Sequence, residues 1–179
     1  HPRPDERHIR RSDLAPLKAL VREFEGAEFN IEGYPDNAFL DLVLAHQPDQ
    51  VTFVPDDPAQ ATSDHGWDIE ANAIMLETAL RQVREAGMRS ALFINAEPEV
   101  PVAAWEVGAD RVELYTGPYG AAHDQPAIAA RELEKLGEAA LIASTVGLNQ
   151  VDTRPPLGIN AGHDLTAENL PALKRAIPN

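Results

Sequence analysis

Apolar residues along this chain switch regularly between two spacings. Leu17, Leu20, Val21 and Phe24 recur at helical intervals behind Ser12 and Asp13, either of which can cap the helix, and Gly26 ends it. Phe29 and Ile31 then alternate with Asn30 and Glu32, which is the two-residue period of a strand. Pro35-Asp36 opens a second helix through Phe39, Leu42 and Val43, and Pro48 stops it. Val51–Pro55 reads as the next strand, and a polar loop follows from Asp56 to Gly66. A long helix spans about Asp68 to Ala86, closed by Gly87. Ser90–Ile94 is a strand, Val102–Val107 a short helix ended by Gly108, and Arg111–Tyr115 a strand. Thr116–Gly120 reads as a loop, and Pro126 starts a helix running to about Ser144. Leu157–Ala161 is the last strand, and Ala167–Leu173 reads as a helix with Thr166 as its N-cap.

The spacing thus predicts five strands, 27–32, 51–55, 90–94, 111–115 and 157–161, each followed by a helix. Strict alternation of this kind calls for a parallel sheet with helical crossovers. An open doubly wound sheet and a closed barrel both satisfy it. No glycine-rich dinucleotide turn follows any strand, which weighs against the open sheet. Polar residues near strand ends (Asn30, Glu32, Glu113, Asn160, His163) converge naturally at a barrel mouth. The expected fold class is therefore α/β, a (β/α)8 TIM barrel, here an incomplete barrel of about five βα units in one domain over residues 1–179. Asn149–Pro156 reads as an inserted loop.

Composition narrows the function. The chain has 179 residues, 44% hydrophobic and 25% charged, enough for one core. A formal charge of -14 disfavours nucleic acid and anionic lipid as partners. An anionic substrate would need a local pocket of Arg, His or helix N-termini. The absence of cysteine removes disulfides and thiolate metal sites. No apolar run reaches membrane-spanning length and no signal peptide is visible, so a cytoplasmic enzyme is expected. The chain starts at His1 rather than Met and reads as an internal piece of a longer protein.

Candidate chemistry concentrates at strand ends. In Asn160-Ala161-Gly162-His163-Asp164-Leu165-Thr166, Gly162 would let a ligand approach the backbone, and His163 can exchange protons near neutral pH. Asp164 can assist the following helix N-terminus. Glu32, before Gly33, is either a solvated strand-end residue or a carboxylate of raised pKa suited to acid/base work. Glu113 lies mid-strand, where it either stabilises a cation inside a barrel or forms a buried ion pair with Arg111 or a lysine. His1, Arg3 and His8 make a small cationic group suited to phosphate. Thr62, beside Ser63, could donate to a phosphate or close a local turn. No metal-ligand spacing and no nucleophile elbow appears.

Several stretches, in order, carry a family pattern: His1-x-Arg3-x-Asp5-x-Arg7-His8-Ile9, Phe29-Asn30-Ile31-Glu32, Val54-Pro55, Thr62, Leu92-Phe93-Ile94, Gly108 through Tyr119, and Asn160 through Thr166. Together they resemble the pyridoxine 5'-phosphate synthase family of vitamin B6 biosynthesis. The resemblance implies a barrel with extra helices, a homo-octamer for the full-length protein, and no metal or organic cofactor. It implies condensation of 3-amino-2-oxopropyl phosphate with 1-deoxy-D-xylulose 5-phosphate. It further implies that His1, Glu32, Glu113 and His163 are catalytic, that Arg3, His8 and Thr62 contact deoxyxylulose phosphate, and that Asp164 contacts the aminoketone phosphate. The family's first strand, most of its second and its last strand have no counterpart here, so these residues alone are expected to lack part of the substrate contacts. An inactive barrel relative that binds phosphate ligands or serves assembly is the alternative. A Schiff-base enzyme is disfavoured, because Lys18, Lys135 and Lys174 fall in expected helices.

Overall fold

A computed structural model describes residues 1–56, 62–148 and 154–177. Five strands, β1 (Asn30–Gly33), β2 (Gln50–Phe53), β3 (Arg89–Ile94), β4 (Arg111–Tyr115) and β5 (Gly158–Gly162), form one sheet in the order β1-β2-β3-β4-β5, every pair parallel. The helices are α1 (Leu14–Val21), α2 (Asn37–His46), α3 (Ile69–Glu85), α4 (Val100–Glu106), α5 (Gly117–Ala121), α6 (Pro126–Thr145) and α7 (Leu170–Ala176). Sequential order with parallel neighbours is the winding of a barrel wall, and it separates this sheet from a doubly wound one, whose order reverses.

The two faces of the sheet differ in chemistry. Ile31, Val51, Phe53, Leu92, Ile94, Val112 and Leu114 point outward and are at most 1% exposed. Against them pack Leu76, Ala79, Leu80 and Val83 of α3, and Leu136, Ala139, Ala140 and Ala143 of α6. The three alanines let the α6 backbone lie close to the sheet. Each fully buried large apolar side chain in this layer contributes about 1.5–3 kcal/mol. The opposite face carries Asn30, Glu32, Gln50, Thr52, Arg89, Phe93, Arg111, Glu113, Tyr115 and Asn160 by two-residue parity.

Local chemistry sets the element ends. The Asp36 side chain accepts from Phe39 N (2.8 Å) and caps α2, and Asp68 accepts from Ala71 N (3.0 Å) and caps α3. Lys18 Nζ donates to His46 O (2.7 Å) and Gln47 O (2.8 Å), covering the carbonyl end of α2. Two aspartates staple the amino-terminal ends of the strands. Asp49 accepts from Phe29 N (2.7 Å), and Asp110 accepts from Ser90 N (2.8 Å) and Ser90 Oγ (2.7 Å). The backbone bond to Phe29, with Arg22 alongside, holds the Asp49 carboxyl below its usual range.

Four expectations change. The first strand starts at Asn30 rather than residue 27, because the Phe29 N–H is taken by the Asp49 side chain. Thr116–Gly120 is not a loop: Gly117–Ala121 forms α5. Neither Ser12 nor Asp13 caps α1; Asp13 instead accepts from Arg10 N (2.9 Å) in a preceding 3-10 turn, and Leu20 and Phe24 stay largely exposed. Thr166 closes a reciprocal turn with Asn169, Thr166 N donating to Asn169 Oδ1 (2.7 Å) and Asn169 N to Thr166 Oγ1 (3.3 Å), so α7 begins later, at Leu170. Most of the expected inserted loop, 149–153, lies outside the described residues. Its end is anchored: Arg154 stacks on the Trp105 ring (4.1 Å) and donates to Trp105 O (2.8 Å), while Trp105 Nε1 donates to Pro155 O (3.1 Å).

Candidate active site

The polar face of the sheet is where the acid/base candidates sit. Glu32 pairs in register with Thr52, and Glu113 lies between Phe93 and Asn160. Both glutamates are half-buried and feel one another. Burial pushes the Glu113 carboxyl up, and the Glu32 charge pushes it further, to about 7. Burial also raises Glu32; the His163 imidazole opposes the shift, and Asp56 adds to it. Two carboxylates on one sheet face disfavour the state in which both are ionised.

No salt bridge reaches Glu113 among the described residues. Arg111 turns to β5 instead, its Nε donating to Asn160 Oδ1 (2.8 Å) and its Nη2 to Ile159 O (3.0 Å). The buried Arg111–Glu113 pair is thereby replaced by an unpaired, easily protonated carboxyl. Gly162 makes room for a neighbouring side chain. The space its missing side chain leaves is filled by Glu113, and a Cβ there would collide with Oε1.

Below Glu32 runs a directional hydrogen-bond chain. Arg89 can only donate, so its Nε bond to Gln50 Oε1 (3.0 Å) turns the Gln50 amide nitrogen toward Thr52 Oγ1 (3.4 Å). Thr52 then donates to Asn30 Oδ1 (3.0 Å), which aims the Asn30 amide nitrogen at Glu32 Oε1 (3.5 Å). The order of donors ends on an acceptor oxygen of Glu32, which fixes the orientation of its carboxyl.

His163 follows β5 directly. Its ring lies against Phe93 (5.1 Å) and Tyr115 (5.4 Å), two side chains of the same sheet face. Its backbone is unusual, with φ 92 at His163 and φ 54 at Asp164. Such positions cost about 1–3 kcal/mol each in non-glycine residues and persist only when neighbours impose them. Thr116 supplies part of that constraint, its Oγ1 lying 2.6 Å from Gly162 O and 2.5 Å from His163 O. Gly120 leaves room for Asp164, and Asn169 Nδ2 donates to Asp164 O (3.0 Å).

The remaining candidates divide. Arg3 is 3% exposed and donates to Asp56 Oδ2 (2.6 Å); His1 Nδ1 lies 3.6 Å from the same oxygen. Ser63 Oγ donates to the other Asp56 oxygen (2.5 Å). His1 and Arg3 therefore meet at a carboxylate just past β2, near Glu32. His8, Thr62 and Asp164 are exposed, and His8 does not join Arg3 in a buried cationic cluster. Among the described residues no group of three or more His, Asp or Glu side chains is arranged for a metal ion.

Sequence reasoning passed over Thr52, Asp56, Phe93, Tyr115 and Thr116. Strand parity with Glu113 could have found Tyr115, and register would then have found Phe93. Asp56 and Thr116 carry no such signal, since their partners lie far away in the chain.

The family model described as pyridoxal phosphate biosynthesis protein PdxJ matches residues 1–179. Proteins named pyridoxine 5'-phosphate synthase from Brucella anthropi, Brucella abortus and Mesorhizobium japonicum are each 55% identical over 179 residues, covering 99% of this chain and 69% of theirs. The five-stranded parallel sheet is thus part of a TIM barrel, and the chain belongs to the PdxJ family of pyridoxal phosphate biosynthesis proteins.

Proposed function

We propose that the protein is a pyridoxine 5'-phosphate synthase, which condenses 3-amino-2-oxopropyl phosphate with 1-deoxy-D-xylulose 5-phosphate to give pyridoxine 5'-phosphate, inorganic phosphate and water. One observation carries the chemistry beyond the family relation: two half-buried glutamates share the inner sheet face beside an imidazole, and one is held protonated up to about 7. Ring closure by condensation needs an imine, several proton transfers and dehydrations. Each step needs an acid or base poised near neutral pH.

In this reading Glu32 is the principal general base, its carboxyl oriented by the hydrogen-bond chain from Arg89. Glu113 sits where a cationic iminium would develop; the arriving charge lowers its pKa, so its negative charge appears as it is needed. His163 donates a proton from its aromatic slot, and His1 serves as a second acid/base group. Arg3, His8 and Thr62 contact deoxyxylulose phosphate, and Asp164 the aminoketone phosphate. Local cations are required because both substrates are anions and the chain carries -14 overall.

The test supplies the intact protein with both substrates and follows pyridoxine 5'-phosphate and phosphate release. Steady turnover supports the reading; calorimetric binding of either phosphate with no product would make the protein a binding module instead. A narrower prediction concerns Gly162→Ala. The new methyl displaces the Glu113 carboxylate, and kcat is expected to fall about 10- to 100-fold with circular dichroism unchanged. An unaltered kcat would mean that Glu113 need not occupy that space.

The proposal extends to a cytoplasmic homo-octamer. Its support is the family pattern together with apolar side chains left on the surface, Ile74 at 85% and Phe24 at 63% exposure. Light scattering on the intact protein that returned a single-chain mass would remove it.

A further inference from the structure

We infer that Thr116 is a positioning residue for His163, acting through a hydroxyl clamp on two consecutive carbonyls. The inference rests on the proposed reading of His163 as proton donor. In an extended strand successive carbonyls point to opposite sides. Gly162 O and His163 O instead converge on one oxygen, at 2.6 and 2.5 Å from Thr116 Oγ1. The backbone reversal that allows this lies at His163, whose φ is 92.

Thr116 is well placed to hold that reversal. It is fully buried at 0% exposure, so water does not compete for its hydroxyl. Its own N–H donates to Gly162 O (2.9 Å), which fixes the hydroxyl relative to β5. It directly follows Tyr115, whose ring lies 5.4 Å from the His163 ring. One residue therefore shapes the imidazole slot while the next grips the backbone that delivers the imidazole. Without the hydroxyl, His163 is free to return to an extended conformation that β-region sterics favour, and its ring leaves the space between Phe93 and Tyr115.

The experiment compares Thr116→Val, Thr116→Ala and Thr116→Ser in the intact protein, with wild-type turnover as the reference. Thr116→Val keeps the shape and removes the donor. Its kcat is expected to fall about 10- to 100-fold, the penalty of a misplaced catalytic group, with both KM values nearly unchanged. The solvent deuterium isotope effect on kcat should rise, because proton donation becomes slower than the other steps. Thr116→Ser should restore most of kcat. Equal impairment of the Ser and Val variants, an unchanged isotope effect, or a wild-type kcat in Thr116→Val would overturn the clamp. Loss of fold in both Val and Ala variants would also overturn it, by making the hydroxyl a general structural bond. Absence of turnover in the wild-type protein would instead defeat the functional reading, and is told apart by that reference assay.

Discussion

Glu32→Gln is expected to lower kcat by about 10²- to 10⁴-fold while leaving the fold intact, since that is the usual contribution of a positioned general base. The amide keeps the size and can still accept the bond from Asn30 through its oxygen. What it loses is the ability to take a proton. A second effect follows at Glu113. Part of the upward push on Glu113 comes from the Glu32 charge, so in the variant the Glu113 pKa should move down toward the value that burial alone imposes. Carbon-detected titration of the side-chain carboxyl would measure this. Wild-type turnover in Glu32→Gln would end the assignment of Glu32 as base, whatever the titration showed.

Glu113→Gln should separate stability from activity. The native carboxyl titrates near 7, above its ordinary value of 4.5, because burial and Glu32 disfavour the charge. Between those two values the folded protein holds more protons than the unfolded chain, so stability falls as pH rises through the window. Below pH 4.5 the group is protonated in both states and contributes nothing to the slope; above 7 the full penalty, about 3 kcal/mol, is in place. The amide carries no such penalty. Urea unfolding should therefore find the variant and the native protein similar at pH 4.5 and the variant more stable at pH 8. Turnover should be strongly reduced in the same protein, because no anion remains to meet the developing cation. Parallel pH slopes for the two proteins would refute the account of Glu113.

Much of the architecture was legible in the sequence, for a simple reason. Period-two and period-3.6 patterns report which side of an element is apolar, and here the outward faces of β2, β3 and β4 are apolar without exception apart from Ser90, which bonds Asp110. Glycines past α3 and α4, in left-handed geometry at φ 80 and 96, marked helix ends from composition alone. The misread ends have different causes. Thr166, read as an N-cap, closes a local box with Asn169 three residues on, whereas Thr116, read as part of a loop, is committed to carbonyls far away in the chain. A short segment such as Gly117–Ala121 has too few residues to show helical periodicity, and its helix is set by packing around Tyr119, whose hydroxyl reaches Asn169 O (2.8 Å).

The sequence by itself determined the element types, the parallel alternation and the identity of the acid/base candidates, because those depend on side-chain spacing and intrinsic chemistry. Tertiary structure alone decided which candidates meet. It placed Glu113 in the gap over Gly162 instead of against Arg111, sank Arg3 beside Asp56, and bent His163 into an aromatic slot. Such outcomes depend on register between strands far apart in the chain and on desolvation, which has no value until the cavity walls exist.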